Sequence, residues 1–283
     1  MTAVWRTSRF QLDLERPLVM GIVNATPDSF SENGRHHASA SAALHHCERL
    51  LKEGADILDI GGESTRPGST AVPLQEELAR VLPVVREAVQ FGVPLSIDTS
   101  KAQVMQAALD AGADIVNDIW ALRQPGALAV VAGHPACGVC LMHMHGQPAT
   151  MQLQPLQGDA VPQVLSFLKH STQQLQALGV QKDRIVVDPG IGFGKTVEQN
   201  FALLARQSEL LELDCPLLAG WSRKSALGAV TGLEAHERLV PSVAAALLAV
   251  AQGARIVRVH DVQATVSALA VWRAVVRQQK AGT

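Results

Sequence analysis

Eight short apolar runs constrain this chain more than any other feature, because each ends in polar residues and is followed by a stretch of helical length. The runs are "LVMGIVNA" from Leu18, "ADILDIGG" from Ala55, "PLSIDT" from Pro94, "DIVNDI" from Asp114, "GVCLMHM" from Gly138, "RIVVDPG" from Arg184, "PLLAGWS" from Pro216 and "RIVRVHD" from Arg255. A strand that is apolar on both faces must be covered on both, as in a parallel sheet wrapped by helices. Several of the intervening stretches end in Gly, which supplies the left-handed residue that closes a helix. Eight strand–helix units in succession predict an α/β fold, a single (β/α)₈ barrel, with an open doubly wound sheet as the alternative. No linker, repeat or low-complexity segment divides the 283 residues, so one domain is expected over 1–283 with the barrel at about residues 17–280. "AVWRTSRFQLDLE", ahead of the first run, reads as a short hairpin covering the barrel bottom.

A barrel of this type places its chemistry at the C-terminal strand ends. Here those ends read Asn24, then "GGESTRPG" from Gly61, Asp98, Asn117 with Asp118, Met142 with His143 and His145, Asp188, Ser222 with Arg223 and Lys224, and Arg258 with His260 and Asp261. One polar strand end is explained by helix capping, but eight in register exceed what capping requires. Asp98, Asn117 and Asp188 supply acceptors and Lys224 a cation, a set suited to a flat heterocycle with an amino and ring N–H edge and a carbonyl. Arg66, Arg258 and His260 form a second, cationic group suited to phosphate oxygens.

"IVVDPGIGFGKT" (185–196) imitates a phosphate loop, but the opening glycine of that motif falls on Pro189, which has no N–H to offer. Its G-x-G-x-G spacing also fails the dinucleotide fingerprint. A net charge of -2 without a basic run argues against nucleic acid as a partner. No segment has signal-peptide or membrane-spanning character, so a cytoplasmic protein without membrane association is expected. Four cysteines are too few for a disulfide framework, and Cys137 and Cys140, although spaced C-x-x-C, read as buried strand thiols.

"GIVNATPDSFS", "DIGGESTRPG", "SIDTSK", "NDI", "LMHM", "DPGIGFGK", "GWSRKS" and "RVHD", in this order over nearly the whole chain, resemble the dihydropteroate synthase family. The resemblance implies a barrel enzyme, an alkyl transferase that joins 6-hydroxymethyl-7,8-dihydropterin pyrophosphate to p-aminobenzoate and is inhibited by sulfonamides. It implies pterin contacts from Asp98, Asn117, Ile119, Met142, Asp188, Lys224 and Arg258. Pyrophosphate is implied at Asn24, Ser64, Arg66, Arg258 and His260, with Asn24 ligating Mg²⁺. Phe30, Thr65, Pro67, Phe193, Ser222 and Lys224 are implied to frame p-aminobenzoate, and Asp98, Lys224, Arg258 and His260 to be catalytic. A homodimer through the last helices is implied as well. The first loop departs from the family's usual "SDGG" in reading "SENG", and Trp120 and Trp221 are bulkier than the family pattern implies beside the pterin strands, which bears on the pocket shape. A metal-dependent amidohydrolase, a pterin-dependent methyltransferase and a non-catalytic pterin-binding paralogue are the rival readings.

Overall fold

The computed structural model describes residues 4–25, 36–65 and 68–281, so Phe30, Arg66 and Pro67 lie outside the described residues. Two three-residue strands, β1 (Val4–Arg6) and β2 (Gln11–Asp13), pair antiparallel. The barrel strands follow: β3 (Leu18–Asn24), β4 (Ile57–Gly61), β5 (Leu95–Asp98), β6 (Ile115–Asp118), β7 (Gly138–Met142), β8 (Ile185–Asp188), β9 (Leu217–Ala219) and β10 (Ala254–Val259). All neighbours are parallel, and β10 pairs with β3 to close the barrel. Between them run α1 (His36–Lys52), α2 (Leu74–Ala88), α3 (Ala102–Asp110), α4 (Ala127–Gly133), α5 (Ala160–Ala177), α6 (Val197–Ala205), α7 (Ser225–Thr231) and α8 (Leu239–Ala251). A long helix, α9 (Val262–Ala281), follows β10. The eight predicted strands are all present in one closed barrel, so the open-sheet alternative falls.

Strand alternation decides what goes inside. The outward residues, such as Val19, Leu58, Ile97, Val116, Leu141, Val187 and Val257, pack under the helices in one large core. Inward residues of the lower strand halves, Met20, Ile57, Ile115, Cys140, Val186, Leu218 and Ile256, fill the barrel as a second apolar cluster. Trp5 closes that cluster from below, fully buried, with its indole N–H donating to the Arg184 carbonyl at 3.0 Å. The hairpin therefore plugs the barrel bottom, as its position in the sequence predicts. Two positions further along the same inward face the residues become Asp59, Asn117, Met142, Asp188 and Arg258, and above them stand Asn24, Asp98 and His260. Most strands are thus apolar inside at the bottom and polar inside at the top, which marks where the site lies. All four cysteines are buried and free, Cys140 in the inner cluster.

Candidate active site

Arg258 is the hub of the upper layer. Its Nε donates to Asp59 Oδ2 at 2.6 Å, and one terminal nitrogen donates to Asp98 Oδ2 at 2.6 Å. Asn117 Nδ2 also donates to Asp59 Oδ2, at 3.2 Å. The guanidinium is therefore tethered by two carboxylates on the neighbouring strands β4 and β5. Burial pulls the Arg258 pKa down, but Asp59 and Asp98 outweigh it and the net shift is upward. Burial pushes Asp98 up to about 7, with Arg258 opposing and Asp59 adding to the rise. Asp98 is thus both a tether for Arg258 and a buried acceptor at the barrel mouth. Sequence reasoning missed Asp59, although an Asp in the middle of "DILDIGG" was the signal, since a buried carboxylate needs partners.

The glycine-rich loop after β8 explains its own composition. Asp188 is buried, and its Oδ1 accepts from the Gly190 N–H at 2.7 Å. Burial raises its pKa, while that N–H together with Lys224, Lys195 and Arg258 favours the carboxylate. Lys195, 2% exposed, donates to the carbonyls of His143, Gly190 and Phe193 at 3.3, 2.7 and 3.1 Å. Thr196 accepts from the Gln199 N–H at 3.2 Å as the cap of α6. The "GKT" triplet that imitates a phosphate loop is therefore spent on folding the loop. Gly190 and Gly194 have φ of +69° and +67°, and a Cβ at Gly190 would lie 1.8 Å from the His143 carbonyl oxygen. Gly190→Ala is expected to destabilise the protein by about 3 kcal/mol or more, because a left-handed penalty adds to a backbone clash. Urea unfolding measures this, and an unchanged midpoint contradicts it.

This folding brings Phe193 under Lys224, whose Nζ stands 4.2 Å from the ring centroid. Phe193 joins Ile119, Met142, Met144 and Met151 in an apolar cluster, with Trp120 at its edge. One wall of the slot is thus apolar and sulfur-rich, and its ends carry Asp188, Lys224, Asn117 and Asp98. On the other side, Ser222 Oγ and His260 Nδ1 share a hydrogen bond of 3.0 Å, and Ser222 Oγ accepts from the His260 N–H at 3.1 Å. Arg223, with φ of 58°, is turned away from the slot and pairs with Asp261 at 2.6 Å. Asn24 ends β3 beside Gly61, and Ser64 and Thr65 follow β4 on the same rim.

Several strand-end residues are placed elsewhere. Asp118 points outward and caps the next turn, accepting from Trp120 and Leu122 N–H at 2.9 and 2.7 Å. His143 packs edge-on against Phe167 of α5 at 5.0 Å, and burial, followed by Lys195 and Arg123, drives its pKa down to about 2. Its ring packs toward α5, and among the described residues no group of three or more His, Cys, Asp or Glu could hold a metal, so the H-x-H of an amidohydrolase is not assembled. Trp221 is not a slot neighbour, because it lies buried behind β9 against Phe201 of α6, with ring centroids 5.4 Å apart. Trp120 does stand beside the slot. A cavity of about 500 Å³ opens next to Asp98 and Ile119, walled also by Glu63, Thr65, Lys101 and Gln147. It does not reach Asp188 or Lys224, and so adjoins the polar slot without coinciding with it.

An apolar cluster flanked by a buried carboxylate, a lysine and a tethered guanidinium suits a flat heterocycle with an N–H edge. The sequence profile of the family "Pterin binding enzyme" matches residues 20–260. Dihydropteroate synthase of Neisseria meningitidis serogroup B is 51% identical, over 96% of this chain and 97% of that one. The crystal structure of Burkholderia cenocepacia dihydropteroate synthase complexed with 7,8-dihydropteroate superposes with a TM-score of 0.89 at 53% identity, covering 98% of both chains. That of Yersinia pestis dihydropteroate synthase with a sulfonamide drug gives 0.90 at 47% identity, covering 96% of this chain and 98% of that one. With the site geometry and the matches both extending over nearly its full length, the chain belongs to the dihydropteroate synthase family of pterin-binding enzymes.

Proposed function

We propose that this chain joins 6-hydroxymethyl-7,8-dihydropterin pyrophosphate to p-aminobenzoate, releasing pyrophosphate and forming 7,8-dihydropteroate. The observation that carries this reading is the convergence of Asp98, Asn117, Asp188, Lys224 and the tethered Arg258 on one slot. The Burkholderia relative's complex with 7,8-dihydropteroate supports the same product. Incubation with the pterin pyrophosphate, labelled p-aminobenzoate and Mg²⁺ is expected to yield labelled dihydropteroate, and no label in that product defeats the reading.

The pterin's amino and ring N–H edge meets the Asp188 carboxylate, Asn117 and Asp98 serve the opposite edge, and Lys224 donates to the carbonyl side. Ile119 and Met142 wall the ring, and the Arg258 guanidinium lies over its face within reach of phosphate. Bond breaking at the pterin methylene develops positive charge on the ring and negative charge on the departing pyrophosphate. Arg258 and His260 stabilise the latter, and Asp98 stabilises the former when ionised. Lys224 and Phe193 place the arylamine in line, so proximity does much of the remaining work. An arylamine is a competent neutral nucleophile and needs no general base.

Mg²⁺ fits the rim in a particular way. Among the described residues no cluster of three or more His, Cys, Asp or Glu is placed to hold a metal. Asn24 offers one amide oxygen, which suits an ion that takes its other ligands from phosphate and water. When bound, Mg²⁺ would neutralise charge on the pyrophosphate. Ser64, Arg66 and His260 bind the same group, and Phe30, Thr65, Pro67, Phe193 and Ser222 frame p-aminobenzoate, which sulfonamides displace. His260→Ala is expected to lower turnover about 100-fold while leaving the affinity for an unphosphorylated pterin unaltered, since the group it stabilises appears only on the leaving side. Equal losses in both measurements would assign His260 to the pterin slot.

A homodimer is proposed through the last helices, where Leu239, Val240 and Leu248 of α8 and Val271 and Val275 of α9 are large exposed apolar side chains. No helix among the described residues is long and apolar enough to cross a membrane, and a cytoplasmic location is proposed.

A further inference from the structure

We propose that Glu63, Glu77 and Lys101 form a clamp that positions the loop carrying Ser64 and Thr65, making Lys101 a positioning residue for p-aminobenzoate. The inference rests on the function proposed above, and none of the three residues is assigned a substrate contact there.

The loop leaves β4 at Gly62 and returns to α2 at Leu74. Glu63 closes it on itself, because one carboxylate oxygen accepts from the Val72 N–H at 3.2 Å. The other oxygen accepts from the Lys101 ammonium, which also donates to Glu77. Glu77 is a fully buried acid on α2, and its second oxygen accepts from the Thr99 hydroxyl at 2.5 Å. Thr99 directly follows Asp98 and Lys101 comes two residues later, so the loop root is tied to the segment that presents the pterin-side carboxylate. Two further contacts brace it: Arg80 donates to the Gly62 carbonyl at 2.7 Å, and the Gly68 N–H donates to the Pro148 carbonyl at 3.3 Å. The root also has no room to drift inward, since a Cβ at Gly62 would come within 2.7 Å of Val81.

The charge arithmetic makes Lys101 decisive. Two carboxylates face one ammonium, and burial raises the Glu77 pKa while Lys101 and Thr99 oppose that rise. Removing the ammonium leaves Glu63 and Glu77 as uncompensated like charges, one of them fully buried. Glu77 is anchored in a helix and Glu63 is in a loop, so the loop gives way. Ser64 and Thr65 follow Glu63 immediately and move with it. Glu63, Thr65, Asp98 and Lys101 wall the same cavity, so the displacement is felt at the rim of the slot.

Steady-state kinetics of Lys101→Met test this alongside calorimetric titration of the same variant with an unphosphorylated pterin analogue. The KM for p-aminobenzoate is expected to rise about tenfold or more, because the residues that frame its pocket are no longer held in their binding geometry, with a smaller change in kcat. Pterin affinity is expected to be unchanged, which also reports that the variant is folded. Lys101→Arg should retain most of the p-aminobenzoate affinity, and Glu77→Gln added to Lys101→Met should restore part of it by removing the repulsion. An unchanged KM for p-aminobenzoate in Lys101→Met overturns the clamp, as does a parallel loss of pterin affinity. Wild-type turnover in the same assay tests the parent reading separately, and its absence overturns both.

Discussion

Asp188→Asn lowers the affinity for a pterin analogue about a thousandfold while the protein remains folded. The carboxylate already accepts from the Gly190 N–H through Oδ1, leaving Oδ2 for the ligand edge. An amide can satisfy only one of these. With its oxygen toward Gly190 it presents an NH₂ to ring N–H groups, and in the flipped orientation it abandons the Gly190 N–H and sets a donor against it. A hydrogen bond to a charged group contributes about 1.5–3 kcal/mol and a mismatched buried donor costs about 1–3 kcal/mol, which together approach three powers of ten. Calorimetric titration gives the affinity, and circular dichroism with urea unfolding reports the fold. A dissociation constant equal to that of wild type would place the pterin elsewhere.

Asp59→Asn is the second large effect, and it is a test of positioning. Asp59 is completely buried, and Oδ2 accepts from both Arg258 and Asn117. Oδ1 is buried without a hydrogen-bond partner among the described residues. An asparagine offers one neutral oxygen to two donors and buries an NH₂ where no acceptor waits. Arg258 keeps Asp98 as its remaining anionic tether and rotates toward it. Breaking half of a buried ion pair costs about 3 kcal/mol of stability, the lower end of the usual range because that second partner survives. Turnover at saturating substrates is expected to fall about 100-fold, since misaligned groups forfeit the gain from fixed orientation. Wild-type turnover in Asp59→Asn would show that Arg258 needs no second tether.

The barrel and the end of it that carries the polar residues could be read from the chain alone. A strand run that turns polar at its last residues says that its C-terminal end is used. Eight such runs separated by helices leave few ways to place those ends other than around one barrel mouth. The spacing of "DPGIGFGKT" also excluded a phosphate loop correctly, and the structure supplies the reason in the three carbonyls around Lys195. These readings succeed because they depend on local rules: period-two alternation, missing N–H groups and the φ that glycine alone tolerates.

What only the tertiary structure decided is which side chains meet. Asp59, Asp98 and Asn117 come from three different strands, and Arg258 reaches two of the carboxylates from a fourth nearly at the end of the chain. Glu77 sits in an amphipathic helix where any solvated acid would look the same, yet it is buried against Lys101. Trp221 and His143 lie at strand ends like the candidate site residues, and they face α6 and α5 instead. Alternation along one strand assigns a residue to the inner or outer face only after the phase is known. The height at which it meets its neighbour depends on strand tilt and stagger around the closed barrel. Both are collective properties of eight strands, and no single stretch of sequence contains them.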